Sequence, residues 1–138
     1  MFPSSKPGPP ALLVFFKTSC PTCRWALPYF EQLHRLAGAE VLSVIGIAED
    51  DEADLAPIAQ ELRLTFPVAL EPAPYATSTA YEVMTVPTLF YIRDARIELE
   101  SAGFARGEVL EIARRAAALA GTDPVSSFLD GVAEFRPG

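Results

Sequence analysis

Two stretches of the chain are apolar without a break: Ala11 to Phe16 reads ALLVFF, and Val41 to Ile47 reads VLSVIGI. Short continuous apolar runs predict strands buried on both faces of a sheet. Between them Leu27, Phe30, Leu33 and Leu36 recur at three-residue spacing, which predicts a helix with those four on its apolar face. Pro21 suits the first turn of that helix, where a missing N–H costs nothing, and Gly38 suits its C-terminal end. Pro28 falls inside it and predicts a kink. The acidic run EDDEAD from Glu49 predicts a loop and a helix N-terminus, where carboxylates complement the dipole. Leu55, Ile58, Ala59 and Leu62 form the stripe of that second helix, with Pro57 near its first turn.

Further on, FPVAL (Phe66 to Leu70) predicts a short strand, and EPAPYATSTAYEV a Pro-rich loop leading to a short helix around Thr77 to Tyr81. TVPTLFYIR (Thr85 to Arg93) reads as a strand entered through Pro87. A turn at Asp94–Ala95 joins it to RIELESAGF, an antiparallel partner. The last helix is expected from about Gly107 to Ala120, with Val109, Ile112, Ala113, Ala116 and Ala120 on one face and Gly121 past its end. The order β–α–β–α–β–α–β–β–α implies right-handed crossovers, parallel pairing of the first strands and an antiparallel hairpin at the end. The fold class is therefore α/β, a mixed sheet flanked by helices on both faces.

The 138 residues suit one domain with a single core. We divide them into an extended, poorly ordered lead-in over 1–10, carrying Pro3, Pro7, Pro9 and Pro10, a domain over 11–121, and a tail over 122–138 that wraps or frays. The net charge of -7 repels phosphate backbones and anionic membranes, so neither nucleic acid nor a membrane surface is an expected partner. No run approaches the roughly 18 apolar residues of a membrane helix. The first ten residues lack the apolar core of a signal peptide, so a cytoplasmic location is expected, or a periplasmic or extracellular one if a signal segment has been removed; a monomer is expected.

The chemistry concentrates in FFKTSCPTCRW, Phe15 to Trp25, which holds both cysteines, Cys20 and Cys23. A four-ligand zinc site needs more Cys or His than His34 supplies, and covalent haem needs His where Arg24 stands. No metal or organic cofactor is expected. A disulfide staple closing so small a loop removes little unfolded-state entropy. A reactive pair has a mechanism: Cys20 precedes Pro21 at the mouth of a helix, where free N–H groups and the dipole favour a thiolate, and Lys17 and Arg24 add positive potential. Cys23, one turn further in, is placed to attack a mixed disulfide at Cys20. His34 is expected on the solvated side of its helix, Trp25 in packing, and Tyr75 and Tyr81 either line a groove or fill it.

On these residues the chain resembles the thioredoxin superfamily. LLVFFKTSCPTCRWALPYF is similar to the family's strand, active-site loop and kinked helix, and VPT at Val86 to Thr88 to its cis-proline motif. Gly103 resembles the glycine before the last helix, and the likeness covers about residues 11 to 121. The segment from Glu49 to Leu70 is an extra helix and strand, as in thioredoxin-like reductants and peroxiredoxins. The resemblance implies a thioredoxin-like thiol–disulfide oxidoreductase, a reductant, in which Cys20 attacks and Cys23 resolves. It places Pro21, Thr22, Val86 and Pro87 at the substrate, with Met84 flanking them. A disulfide-containing protein or small thiol is the implied substrate, and a reductase the implied redox partner. The family's buried acid corresponds to Val14, its tryptophan before the first Cys to Ser19, and the glutamate of secreted reductants to Ala26. No proton acceptor for Cys23 is thereby identified. Two alternatives remain. A peroxiredoxin-type peroxidase fits CPT, but that family's Thr three residues before its Cys is Lys17 here. A redox-inert binding module would keep the fold and use the pair as a staple.

Overall fold

A computed structural model describes residues 8–124 and 127–138, so most of the expected lead-in, residues 1–7, lies outside the described residues. The two apolar runs form β1 (Ala11–Phe16) and β2 (Ser43–Ala48), paired in parallel. Between them runs α1 (Pro21–Ala37), unbroken through Pro28. After β2 come α2 (Glu52–Leu62), β3 (Val68–Leu70) and the short α3 (Ala76–Ala80). The chain continues through β4 (Thr88–Arg93), β5 (Arg96–Ala102), β6 (Phe104–Ala105) and α4 (Arg106–Ala120). A single 3₁₀ turn (Ser127–Leu129) and β7 (Phe135–Arg136) complete it.

The main sheet has the order β3-β2-β1-β4-β5. β1 lies at its centre, parallel to β2 and antiparallel to β4, with Val14 opposite both Gly46 and Leu89. Pro10 is buried and its carbonyl accepts the Ser43 N–H at 2.9 Å, so the ladder begins one residue before β1. The β4–β5 hairpin closes through Asp94 and Ala95, both at positive φ (52° and 61°), the geometry of a tight two-residue turn matched to strand twist.

Strand alternation divides the interior. Leu12, Val14 and Phe16 of β1 join Leu27, Phe30 and Leu33 of α1 and Val109, Ile112 and Ala113 of α4 in the main core. Phe15 points the other way, to Ile47 and Phe90, where Tyr81 and Val83 cover it after α3. Tyr81 packs against both phenylalanines, tilted on Phe15 and edge-on to Phe90, with ring centroids 5.4 and 5.0 Å away; it fills this second core.

Four expectations need correction. Ala120, expected on the apolar face of the last helix, is exposed at its end, and Ala117 is buried there instead. Leu36 is exposed, not core. Nine residues separate it from Leu27, about two and a half helical turns at 3.6 residues per turn, which carries it to the opposite face. His34 is not a solvated surface residue: its ring lies edge-on to Phe66 at 6.1 Å, and Nδ1 is buried. Pro57 lies well inside α2, because Asp51 caps the helix a turn earlier by accepting the Asp54 N–H at 2.9 Å.

Candidate active site

The change from strand to helix places the first cysteine. β1 ends at Phe16, and Cys20 is the N-cap of α1 with extended backbone (φ -85°, ψ 118°). Its Sγ accepts the Cys23 N–H at 3.2 Å. The first N–H groups of a helix have no partner within it, so the sulfur takes the part usually played by a capping oxygen and sits in the positive end of the helix dipole. On its other side the Cys20 thiol donates to the Val86 carbonyl at 3.5 Å. Both thiols are free, Cys20 half-buried and Cys23 fully buried. Burial pushes the Cys23 thiol well above its ordinary range. The hydrogen bond with Cys20 and the nearby charges of Cys20 and Glu49 push the same way, against a backbone hydrogen bond at Lys17. One thiol is thus accessible at a helix mouth; the other stands behind it, held protonated.

The approach to Cys20 is anchored by a contact that local pattern does not announce. Asp50 is 7% exposed, and accepts the Thr18 N–H at 2.9 Å and the Thr18 hydroxyl at 2.8 Å. Its place in an acidic run suggested only dipole complementation. In the fold Asp51 does the capping, and Asp50 turns inward to pin the loop between β1 and α1. The cations expected to add potential are engaged elsewhere. Lys17 Nζ donates to the Tyr75 hydroxyl at 3.2 Å, and Arg24 pairs with Glu61 at 3.5 Å in an exposed bridge.

The opposing wall is the segment before β4. The Val86–Pro87 peptide bond is cis. The Thr88 hydroxyl donates to the Thr85 carbonyl at 2.6 Å, and the Gly103 N–H to the Pro87 carbonyl at 2.7 Å, which ties this segment to the strand beyond. Met84, just before it, is 93% exposed. Of the residues expected at the site, Cys20, Cys23 and Val86 are in direct contact and Pro87 is buried behind Val86. Pro21 is exposed at the first turn of α1. Thr22 is buried, its hydroxyl donating at 2.8 Å to the carbonyl of Pro137 in the C-terminal segment. Trp25 packs edge-on against Tyr29 at 5.2 Å and Phe104 at 4.9 Å. Val14 and Ala26 are buried and apolar, so they bring no acid to Cys23.

Residues 4–98 match the model of the AhpC/TSA family. No curated protein matches the chain. Among solved structures it is similar to a secreted disulfide oxidoreductase of Mycobacterium tuberculosis homologous to E. coli DsbE, at 22% identity over 81% of this chain and 83% of that one, with a TM-score of 0.66. It is also similar to a thioredoxin-family thiol:disulfide interchange protein from Chlorobium tepidum, at 19% identity over 79% and 80%, with a TM-score of 0.67. StoA from Bacillus subtilis aligns at 22% identity over 70% and 75%, with a TM-score of 0.61. These likenesses establish a thioredoxin-like fold. Among the described residues, no helix is long and apolar enough to cross a membrane.

Proposed function

The chain belongs to the AhpC/TSA family, and on that premise we propose that it is a thiol–disulfide oxidoreductase that reduces protein disulfides with Cys20 and Cys23. The observation that carries this reading is the asymmetry of the pair: Cys20 caps α1 and is partly exposed, whereas Cys23 is fully buried one turn behind it. In the forward reaction the Cys20 thiolate attacks one sulfur of a substrate disulfide. That S–S bond breaks, a Cys20–substrate bond forms, and the other substrate sulfur leaves as a thiolate and takes up a proton. Cys23 then loses its proton and attacks Cys20 Sγ, releasing the second substrate thiol and leaving a Cys20–Cys23 disulfide. Two electrons pass to the substrate, and a partner reductase returns them.

The backbone at Val86 offers an edge at which an extended substrate chain can add as a strand, with Pro87 shaping the wall and Pro21 and Thr22 facing it. The chemistry needs no metal or organic cofactor. The proposal includes a monomer acting in the cytoplasm, which cell fractionation and sedimentation check.

Insulin-disulfide reduction with dithiothreitol as electron source tests the activity: the native chain should accelerate it, and Cys20→Ser should abolish the acceleration. No acceleration by the native chain overturns the proposal. The family match favours a second reading, a thiol peroxidase using Cys20. Peroxide consumption separates the two, and consumption without insulin reduction selects the peroxidase.

A further inference from the structure

The residues from Val132 onward do not leave the domain surface. β7 pairs antiparallel with β6, with Phe104 opposite Arg136 and Ala105 opposite Phe135. Arg106 fixes the approach: its N–H donates to the Glu134 carbonyl at 2.8 Å, and its guanidinium to the Val132 carbonyl at 2.7 Å. The Arg136 guanidinium lies 4.5 Å over the Trp25 ring, a cation–π contact on the helix that carries both cysteines. The Pro137 carbonyl takes the Thr22 hydroxyl, inside the Cys-Pro-Thr-Cys motif itself. Gly138 then packs against the Val86 carbonyl so closely that a β-carbon there would overlap it. That carbonyl is also the one that receives the Cys20 thiol.

The surrounding backbone accommodates this segment. Gly103 has φ +74°, and a β-carbon on it would come within 2.8 Å of the Arg136 carbonyl. Only glycine combines that conformation with so close a passage. Thr22, at the tip of the motif, is 9% exposed with the segment in place. These contacts lie on separate elements (β6, α1 and the loop before β4) and follow one extended path ending beside Cys20.

We propose that this path is the track along which an extended substrate polypeptide reaches Cys20, and that residues 135–138 occupy it in the resting protein as a strap the substrate must displace. The inference rests on the thiol–disulfide exchange reading for its meaning but not for its test. A strand added to a sheet edge gains main-chain hydrogen bonds irrespective of sequence, so a substrate strand can make the same kind of contacts as β7 once the strap has opened. The strap is short, has a ladder of only two residue pairs and carries an exposed Phe135, which suits a contact that opens locally without unfolding the domain. Cys20 keeps partial exposure with the strap closed, so opening raises its reactivity by at most the inverse of the open fraction, about tenfold for an open fraction of about a tenth.

The test is the iodoacetamide alkylation rate of each cysteine in the reduced protein, resolved by peptide mass spectrometry. Three proteins are compared: the native chain, a chain lacking residues 135–138, and Gly138→Val, whose new side chain collides with the Val86 carbonyl. The strap predicts faster alkylation of Cys20 in the shortened chain, by up to about tenfold, and a smaller increase in Gly138→Val, with Cys23 unchanged in both. An unchanged Cys20 rate in both variants overturns the strap. So does an increase shared by Cys23, which reports a loosened fold. Because alkylation needs no substrate, a native chain that fails to reduce insulin refutes the exchange reading and leaves this result intact. Unchanged alkylation beside active insulin reduction refutes the strap alone.

Discussion

α1 and α2 both begin on a side-chain cap, both carry an internal proline, and both follow a strand of the same sheet, yet α1 buries seven residues and α2 buries none. The cap of α1 is a cysteine sulfur, whereas that of α2 is a carboxylate. α1 is held by the fully buried Leu27, Phe30 and Leu33 in the main core, and α2 by the half-buried Leu55 and Leu62 packed against it. The comparison shows that both cysteines lie on the tightly packed helix. On the proposed exchange reading, Cys20 needs a helix mouth that does not move relative to Val86, and packing over-determines the position of that helix. α2, in the segment the thioredoxin resemblance marks as extra, has no such task and no such constraint.

Substitutions that test this contrast should fall in a definite order. Phe30→Ala removes a fully buried ring from α1 and is expected to cost about 3–5 kcal/mol in urea denaturation. A cost below about 1 kcal/mol would mean that α1 is not the anchored helix. Next comes Glu31, whose carboxylate accepts the Thr65 and Phe66 N–H groups and the Thr65 hydroxyl, and pairs with Arg35. Glu31→Ala leaves those donors without their partner and should cost about 1–3 kcal/mol. Burial pushes the Glu31 carboxyl up, but the hydrogen bonds from Thr65, Arg35 and Phe66 outweigh it, and its value is net lowered. A lowered carboxyl contributes stability above the unfolded-state value and loses it as pH falls through the folded one. Native and Glu31→Ala proteins should therefore differ at pH 7 and converge in strong acid.

A smaller effect is expected at α2. Asp51→Ala removes only its cap and should cost about 1 kcal/mol while leaving the Cys20 alkylation rate unchanged. A changed rate would show that α2 does position the site. The smallest effect at neutral pH concerns Cys23. Its thiol is raised, so the reduced fold keeps its proton where the unfolded chain has lost it. The stability this gives is present below the unfolded thiol's value and fades as pH climbs toward the raised folded one. Reduced protein should lose stability above about pH 9, in the range of a free thiol and beyond, whereas the Cys20–Cys23 disulfide form should not show this loss. Chemical denaturation of both forms between pH 7 and 10 measures the difference.

What was legible in the sequence was what local pattern encodes. Buried strands announce themselves as unbroken apolar runs, hence β1 and β2, and a cysteine before Pro21 announces a helix mouth. Three-residue spacing placed Leu27, Phe30 and Leu33 correctly and failed at Leu36, where the drift from helical period had accumulated. Asp50 was hidden by its neighbours, because nothing local separates a capping Asp51 from an inward-turned Asp50 that meets Thr18 beyond the end of the adjacent strand. β7 was illegible for the same reason: two residues have no period, and its pairing is decided by Gly103 and Arg106, far away in the chain. Long-range partners, not propensities, complete this site.

The central claim is the division of labour between the thiols, and trapping tests it most directly. Cys23→Ser and Cys20→Ser proteins, fully reduced, are mixed with a disulfide-bonded protein and quenched with acid, and the products are separated without reductant. The account predicts that Cys23→Ser accumulates a mixed disulfide through Cys20, and that Cys20→Ser accumulates none. In the native chain the corresponding complex should be transient and should clear faster as pH rises and the raised Cys23 thiol loses its proton. A mixed disulfide that forms through Cys23 in the Cys20→Ser protein, or none in either variant, contradicts it.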